Sequence, residues 1–240
     1  MKVFIAAALC LAPFTAMAAD LGLRKSYLPA ADTPAPTASA WTGASAGVHA
    51  GGGFGTVTDP EAGPEAESIR IRGGLGGLQV GYNHNFGGLV LGLETDYAMA
   101  KVTGDIHAWG AIGGLAISGS TQSRLESLGT VRARVGVAMN SALLFATAGW
   151  AYGRNKIITS GTVTNANSGP SVGLTISDSK WMSGWTAGGG VEYAFTPDMT
   201  GKLEYLYADL GKSAFYEDIA SNLYIASKVN IIRAGVNYRF

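Results

Sequence analysis

Three histidines, His49, His84 and His107, are the only side chains with an ordinary titration near neutrality or an imidazole to offer a metal. None stands at a spacing that such chemistry needs. The chain has no H-E-x-x-H run to put two imidazoles on one helical face, and no loop of alternating acids around a glycine to hold calcium. Gly73 to Gly77 is glycine-rich but lacks the Lys-Ser/Thr of a phosphate loop and leads into a strand pattern. The single cysteine, Cys10, lies in an N-terminal segment read below as removed, which leaves neither a disulfide nor a thiolate site. A nucleophilic triad is recognised by geometry, and a serine near a histidine in sequence does not supply it. The expectation is therefore no enzymatic activity, no metal and no cofactor. The residues that do form a pattern are charged. Glu94, Asp96, Glu192 and Glu204 face Arg132, Arg134, Lys202 and Arg233, four acids against four bases.

The elements that must position these charges begin with composition. Charged residues make up 14% of the 240, while Gly reaches 35. Lys+Arg and Asp+Glu balance at 17 each, so no basic excess is left to neutralise phosphates and nucleic acid is not an expected partner. A hydrophobic fraction of 47% excludes a disordered chain. Beyond the N-terminus no run approaches the roughly 18 apolar residues of a membrane helix. Two classes remain, a soluble all-β protein and a membrane β-barrel.

The first residues favour export. Lys2 gives a positive start, Val3 to Phe14 an apolar stretch, and Ala16-Met17-Ala18 a small-residue cleavage site, so residues 1–18 read as a signal peptide. Residues 19–40 are rich in Ala and Pro, with Pro29, Pro34 and Pro36 breaking any regular element, and read as a periplasmic linker. Residues 41–240 read as the barrel.

From Trp41 onward the chain alternates with period two. Ile232, Ala234, Val236, Tyr238 and Phe240 share one face of the last segment, with Arg233, Gly235, Asn237 and Arg239 on the other. Similar segments surround Val48, Val80, Leu91, Val131, Val191 and Leu203. The segment around Val131 is read with Leu125 on the apolar face beside Val131 and Val135, and with Arg124 and Glu126 inward. Residues 142–152 are apolar on both faces, so their facing is open. Short turns at Asn85 to Gly88, Met139 to Ser141 and Thr196 to Met199 alternate with long connections at residues 56–74, 101–122, 154–179 and 211–227. All short turns then fall at one end of a sheet and all long loops at the other, as in outer-membrane barrels. The fold expected is an eight-stranded antiparallel up-and-down transmembrane β-barrel with short periplasmic turns and long extracellular loops.

In such a barrel the charged set points into the lumen, where balanced charge can pair and close a narrow interior. Inward glycines, among them Gly51, Gly92, Gly190 and Gly235, leave that interior less crowded, which keeps a narrow pore open as the alternative. Aromatic rings favour the headgroup region. Trp41, Phe86, Phe195 and Phe240 are read as the belt at the short-turn end, and Trp150, Trp181 and Trp185 as the belt at the other.

Four stretches then resemble a known family: residues 77–83 (GLQVGYN), 129–136 (GTVRARVG), 188–194 (GGGVEYA) and 204–211 (EYLYADLG). They are similar to the small outer-membrane β-barrels of alphaproteobacteria, relatives of the OmpA transmembrane domain, over residues 41–240. The ending Asn237-Tyr238-Arg239-Phe240 resembles the C-terminal signal read by the barrel-assembly machinery, with Tyr238 and Phe240 as its key positions. The resemblance implies the outer membrane as location, a structural or surface-interaction role, and contact with outer-membrane lipid, lipopolysaccharide and surface or host ligands. Some members are called porins and some bind haemin. By that analogy alone His107, Tyr216 and Tyr224 are candidate haemin contacts.

Overall fold

A computed structural model describes residues 41–59, 68–112, 115–165, 171–215 and 223–240. The signal-peptide and linker readings, together with Cys10 and Tyr216, lie outside the described residues. Eight strands follow one another: β1 (Gly43–Thr58), β2 (Ile69–Phe86), β3 (Leu89–Ile112), β4 (Leu115–Met139), β5 (Ala142–Asn165), β6 (Val172–Ala194), β7 (Met199–Phe215) and β8 (Leu223–Arg239). Each pairs antiparallel with the next, and β1 pairs with β8 to close the barrel. Closure leaves no edge along the paired wall, which a strand structure in hydrocarbon requires.

The tight turns are built from residues suited to left-handed backbone. Gly87 and Gly88 take φ of 70° and 111°, and the Gly88 N–H donates to Asn85 Oδ1 at 2.7 Å. Asn140, with φ 52°, turns β4 into β5.

The residues expected as long loops are largely strand. β3 runs to Ile112 and β4 starts at Leu115, so most of residues 101–122 is a paired hairpin. β5 and β6 stay in register out to Val163 opposite Val172, and β7 and β8 stay paired, through a register shift between Asp209 and Lys212, out to Phe215 opposite Leu223. Ser, Thr and Gly occupy both faces there, so the apolar alternation disappears. The ladder bonds are made by the backbone and do not need it.

Facing follows the alternation over most of the wall. Val48, Leu78, Leu93, Val131, Leu144, Val191, Leu203 and Ile232 are exposed on the outside, a continuous apolar surface suited to hydrocarbon. Two expectations need correction. Leu125 is buried inside, while Arg124 and Glu126 point outward, Glu126 towards Arg154 at 3.6 Å. Register slips between Leu125 and Ser127 invert the phase of β4 at that point. Trp41 is 1% exposed and is not a belt residue. It sits inside the base of the barrel and donates from Nε1 to Asn140 O at 3.3 Å. The facing of β5 is also settled: Leu143, Phe145 and Thr147 are inward, Leu144 and Trp150 outward.

Candidate functional site

Inward positions of β3, β4, β6, β7 and β8 bring all eight charged residues into one buried cluster. Register supplies the first pairs: Glu94 lies beside Arg132, Glu192 beside Lys202, and Glu204 beside Arg233. Long side chains then cross the lumen. Arg132 Nη1 reaches Glu204 Oε1 at 2.5 Å, and Lys202 Nζ reaches Glu94 Oε1 at 2.7 Å. Arg233 engages Asp96 Oδ1 at 3.0 Å and Glu204 Oε2 at 2.8 Å. Arg134 pairs with Glu192, and its guanidinium lies 3.8 Å from the centre of the Phe145 ring.

Arg132 shows how complete the arrangement is. Its Nε donates to Thr130 Oγ1, its Nη1 to Thr147 Oγ1 and Glu204, and its Nη2 to Glu94 and Asp96. Those bonds account for all five donors of the guanidinium. Buried ions are tolerated only when partnered in this way. The neutral partners Thr130, Thr147, Thr200, Asn237 and His49 were not part of the charged set read from sequence. Thr200 Oγ1 and Asn237 Nδ2 donate to Glu192 at 2.5 and 3.1 Å. His49 Nε2 lies 3.3 Å from Arg233 Nη1, a contact in which that ring nitrogen must accept.

The inward glycines make room for these chains. Gly149 is in register with Arg132, and a Cβ there would come within 2.7 Å of the arginine Cα. Gly51 stands in the same relation to Arg233, whose Cβ would lie 2.7 Å away.

Apolar residues flank the cluster above and below. Trp41, Val90, Leu143, Phe145 and Ala194 form a floor at the short-turn end, with the Arg239 guanidinium 5.1 Å from the centre of the Trp41 ring. Towards the long hairpins a second core contains Ile71, Val102, Leu125, Leu128, Leu206 and Phe215 among others.

Two of the haemin candidates, His107 and Tyr224, lie on strands that are not neighbours in the wall. His107 is exposed on β3, in a strand and not a loop, with Nε2 2.8 Å from Asp105 Oδ2. Tyr224 belongs to β8, separated from β3 by β1 and β2. Among the described residues no three His, Cys, Asp or Glu side chains are grouped to hold a metal. His84 is at the short-turn rim, 4.4 Å from Phe86 between ring centres. Tyr238 and Phe240 both face outward, with ring centres 5.1 Å apart, and the Phe240 N–H donates to Ala44 O at 2.9 Å.

A closed barrel with an apolar exterior and a paired charged interior points to a membrane-embedded class, and comparison with known proteins decides which. A family model described as "Outer membrane protein beta-barrel domain" matches residues 6–240. The chain belongs to that family. Similar curated proteins include the 31 kDa outer-membrane immunogenic protein of Brucella melitensis, 38% identical over 94% of each chain. The 25 kDa outer-membrane immunogenic protein of Brucella abortus is 30% identical over 99% of this chain and 97% of that one. The 22 kDa outer membrane protein of Rhizobium leguminosarum is 30% identical over 88% and 83%. Among solved structures, Ail of Yersinia pestis is 18% identical over 83% of this chain and 99% of that one, with a TM-score of 0.40. This family member is thus an outer-membrane protein, as its relatives are, and the exposed apolar wall is its lipid-facing surface.

Proposed function

We propose that this protein is a closed, non-enzymatic barrel that anchors a surface-exposed set of strand hairpins in the outer membrane. The observation that carries the reading is the filled lumen: a paired charge cluster stacked between two apolar layers, with the longest hairpins all at one end. A wet path would have to pass Trp41, the Arg132 network and the Leu206–Phe215 core in turn, and a narrow porin role is disfavoured for that reason. The hairpins carry exposed apolar side chains such as Trp109, Ile117 and Leu174 among Ser and Thr, a surface suited to protein or glycan ligands. Two Brucella relatives are named immunogenic, and in this chain the same hairpins are the surface that antibodies or a host ligand would meet. Lipopolysaccharide surrounds the wall on the outer leaflet, and the outward Tyr238 and Phe240 are the contact offered to the assembly machinery.

Labelling of intact cells tests the orientation. A cysteine at Ser118, on the β3–β4 hairpin, should react with a membrane-impermeant maleimide. One at Asp198, in the β6–β7 turn, should react only after lysis. Reversed or equal labelling would contradict the proposal.

A further inference from the structure

Outward-facing residues of β8, β1 and β2 assemble a basic cleft above the apolar band. Lys228 and Arg70 are both in register with Thr56, and Asn230 and Arg72 are both in register with Phe54. The cleft between them measures about 670 Å³ and includes Phe54, Arg70, Arg72, Tyr207, Lys228 and Asn230 in its lining. Arg70, Arg72 and Lys228 are exposed, and they face away from the barrel, opposite in direction to the lumenal charges. One carboxylate, Asp105, also lines the cleft, and its Oδ2 is engaged by His107 at 2.8 Å. Lys228 has Asp209 at 3.9 Å. Among the described residues Arg70 and Arg72 form no ion pair, with Asp105 the one acid beside them in the cleft.

Height explains why this is unusual. Arg72 is 86 − 72 = 14 residues from Phe86 at the short turn. At about 3.3 Å per residue and a tilt of about 40°, that is roughly 35 Å, about 10 Å above the top of an apolar band about 25 Å tall that begins near the lower aromatics. Cations at that level face the headgroups of the outer leaflet. Lys228 and Arg70 stand two strand spacings apart, roughly 10 Å, with the Phe54 ring beneath. The pair can clasp a phosphate while an acyl chain runs down over Phe54.

We propose that this cleft is a binding site for a phosphorylated glycolipid of the outer leaflet, with Arg70, Arg72 and Lys228 holding its phosphate and Phe54 its first acyl segment. Arg forks match phosphate oxygens in a bidentate way, which gives the site its preference for phosphate over neutral sugar. The inference rests on the orientation proposed above, with the long hairpins outside.

The test titrates the refolded full chain in detergent with bisphosphorylated lipid A and with dephosphorylated lipid A, read by native mass spectrometry. The comparison protein is Arg70→Gln/Arg72→Gln/Lys228→Gln. The parent should bind the phosphorylated lipid about tenfold or more tightly than the variant, since three exposed charge contacts are removed, and dephosphorylated lipid should not distinguish the two. Inorganic phosphate at millimolar concentration should fail to compete. Equal binding by both proteins, equal binding of both lipids, or full competition by inorganic phosphate would overturn the site. Heat-modifiable migration of both proteins confirms folding, so a failed titration on a folded barrel rejects the site and leaves the surface reading intact. Maleimide labelling that puts the hairpins in the periplasm would reject both.

Discussion

Arg132 on β4 and Glu204 on β7 meet across the lumen at 2.5 Å, 72 residues apart in sequence and both buried. The contact ties two strands that are not neighbours in the wall, and it lies where Asp96, Glu94 and Arg233 also converge. Removing Glu204 takes one buried carboxylate from both Arg132 and Arg233 and leaves the cluster one negative charge short where water does not reach. Glu204→Gln should therefore cost about 3–5 kcal/mol. A denaturant titration of the refolded barrel checks this, and a midpoint equal to the parent's would mean that the charges are solvated.

The inward glycines should be intolerant of side chains for a packing reason. Gly149→Leu would force a branched chain against the Arg132 backbone. Overpacking of this kind typically costs about 1–3 kcal/mol. The same substitution at Gly161, where a Cβ meets nothing, should leave the midpoint unchanged.

The inverted facing of β4 gives a chemical test. Leu125→Cys should be unreactive towards a water-soluble maleimide in the folded barrel, and Glu126→Cys should react readily. The opposite pattern would restore the simple alternation and remove the register slip.

How much of this was legible in the sequence depends on what each face meets. β8 alternates cleanly because its outer side chains face lipid and its inner ones face the charge cluster, so Arg233 and Ile232 could be placed by inspection. β5 could not be placed, because Leu143 and Phe145 are apolar yet inward, part of a floor inside the barrel that periodicity cannot tell from lipid. Trp41 misled for a related reason: an aromatic at the membrane edge and an aromatic closing the lumen look alike in a string of letters. The β3–β4 hairpin was missed as strand because Ser and Thr on both faces erase the period while the backbone pairing continues. The pairing of Arg132 with Glu204 needed the closed ring, since spacing along the chain says nothing about which strands oppose each other.

The floor residue should matter for stability as well as for sealing. Trp41→Ala removes a fully buried ring beneath Arg239 and leaves a cavity next to Leu143, at a typical cost of about 3–5 kcal/mol. Thermal unfolding followed by heat-modifiable gel migration measures it. An unchanged transition would place the ring outside the packed interior.

The C-terminal residue bears on assembly more than on the folded barrel. Phe240 is 78% exposed at the lipid face, so Phe240→Ala should change the unfolding midpoint little. It should nevertheless reduce outer-membrane insertion well below that of Phe54→Ala, as measured by the folded fraction in isolated membranes. Equal insertion of the two variants would remove the special role of the terminus.

Conductance of the refolded protein in planar lipid bilayers tests the sealed lumen most directly. The stacked layers of Trp41, the Arg132 cluster and the Leu206–Phe215 core predict insertion without steady single-channel current. A stable, reproducible open level from the parent protein would contradict the closed lumen, because ions would then be crossing those layers.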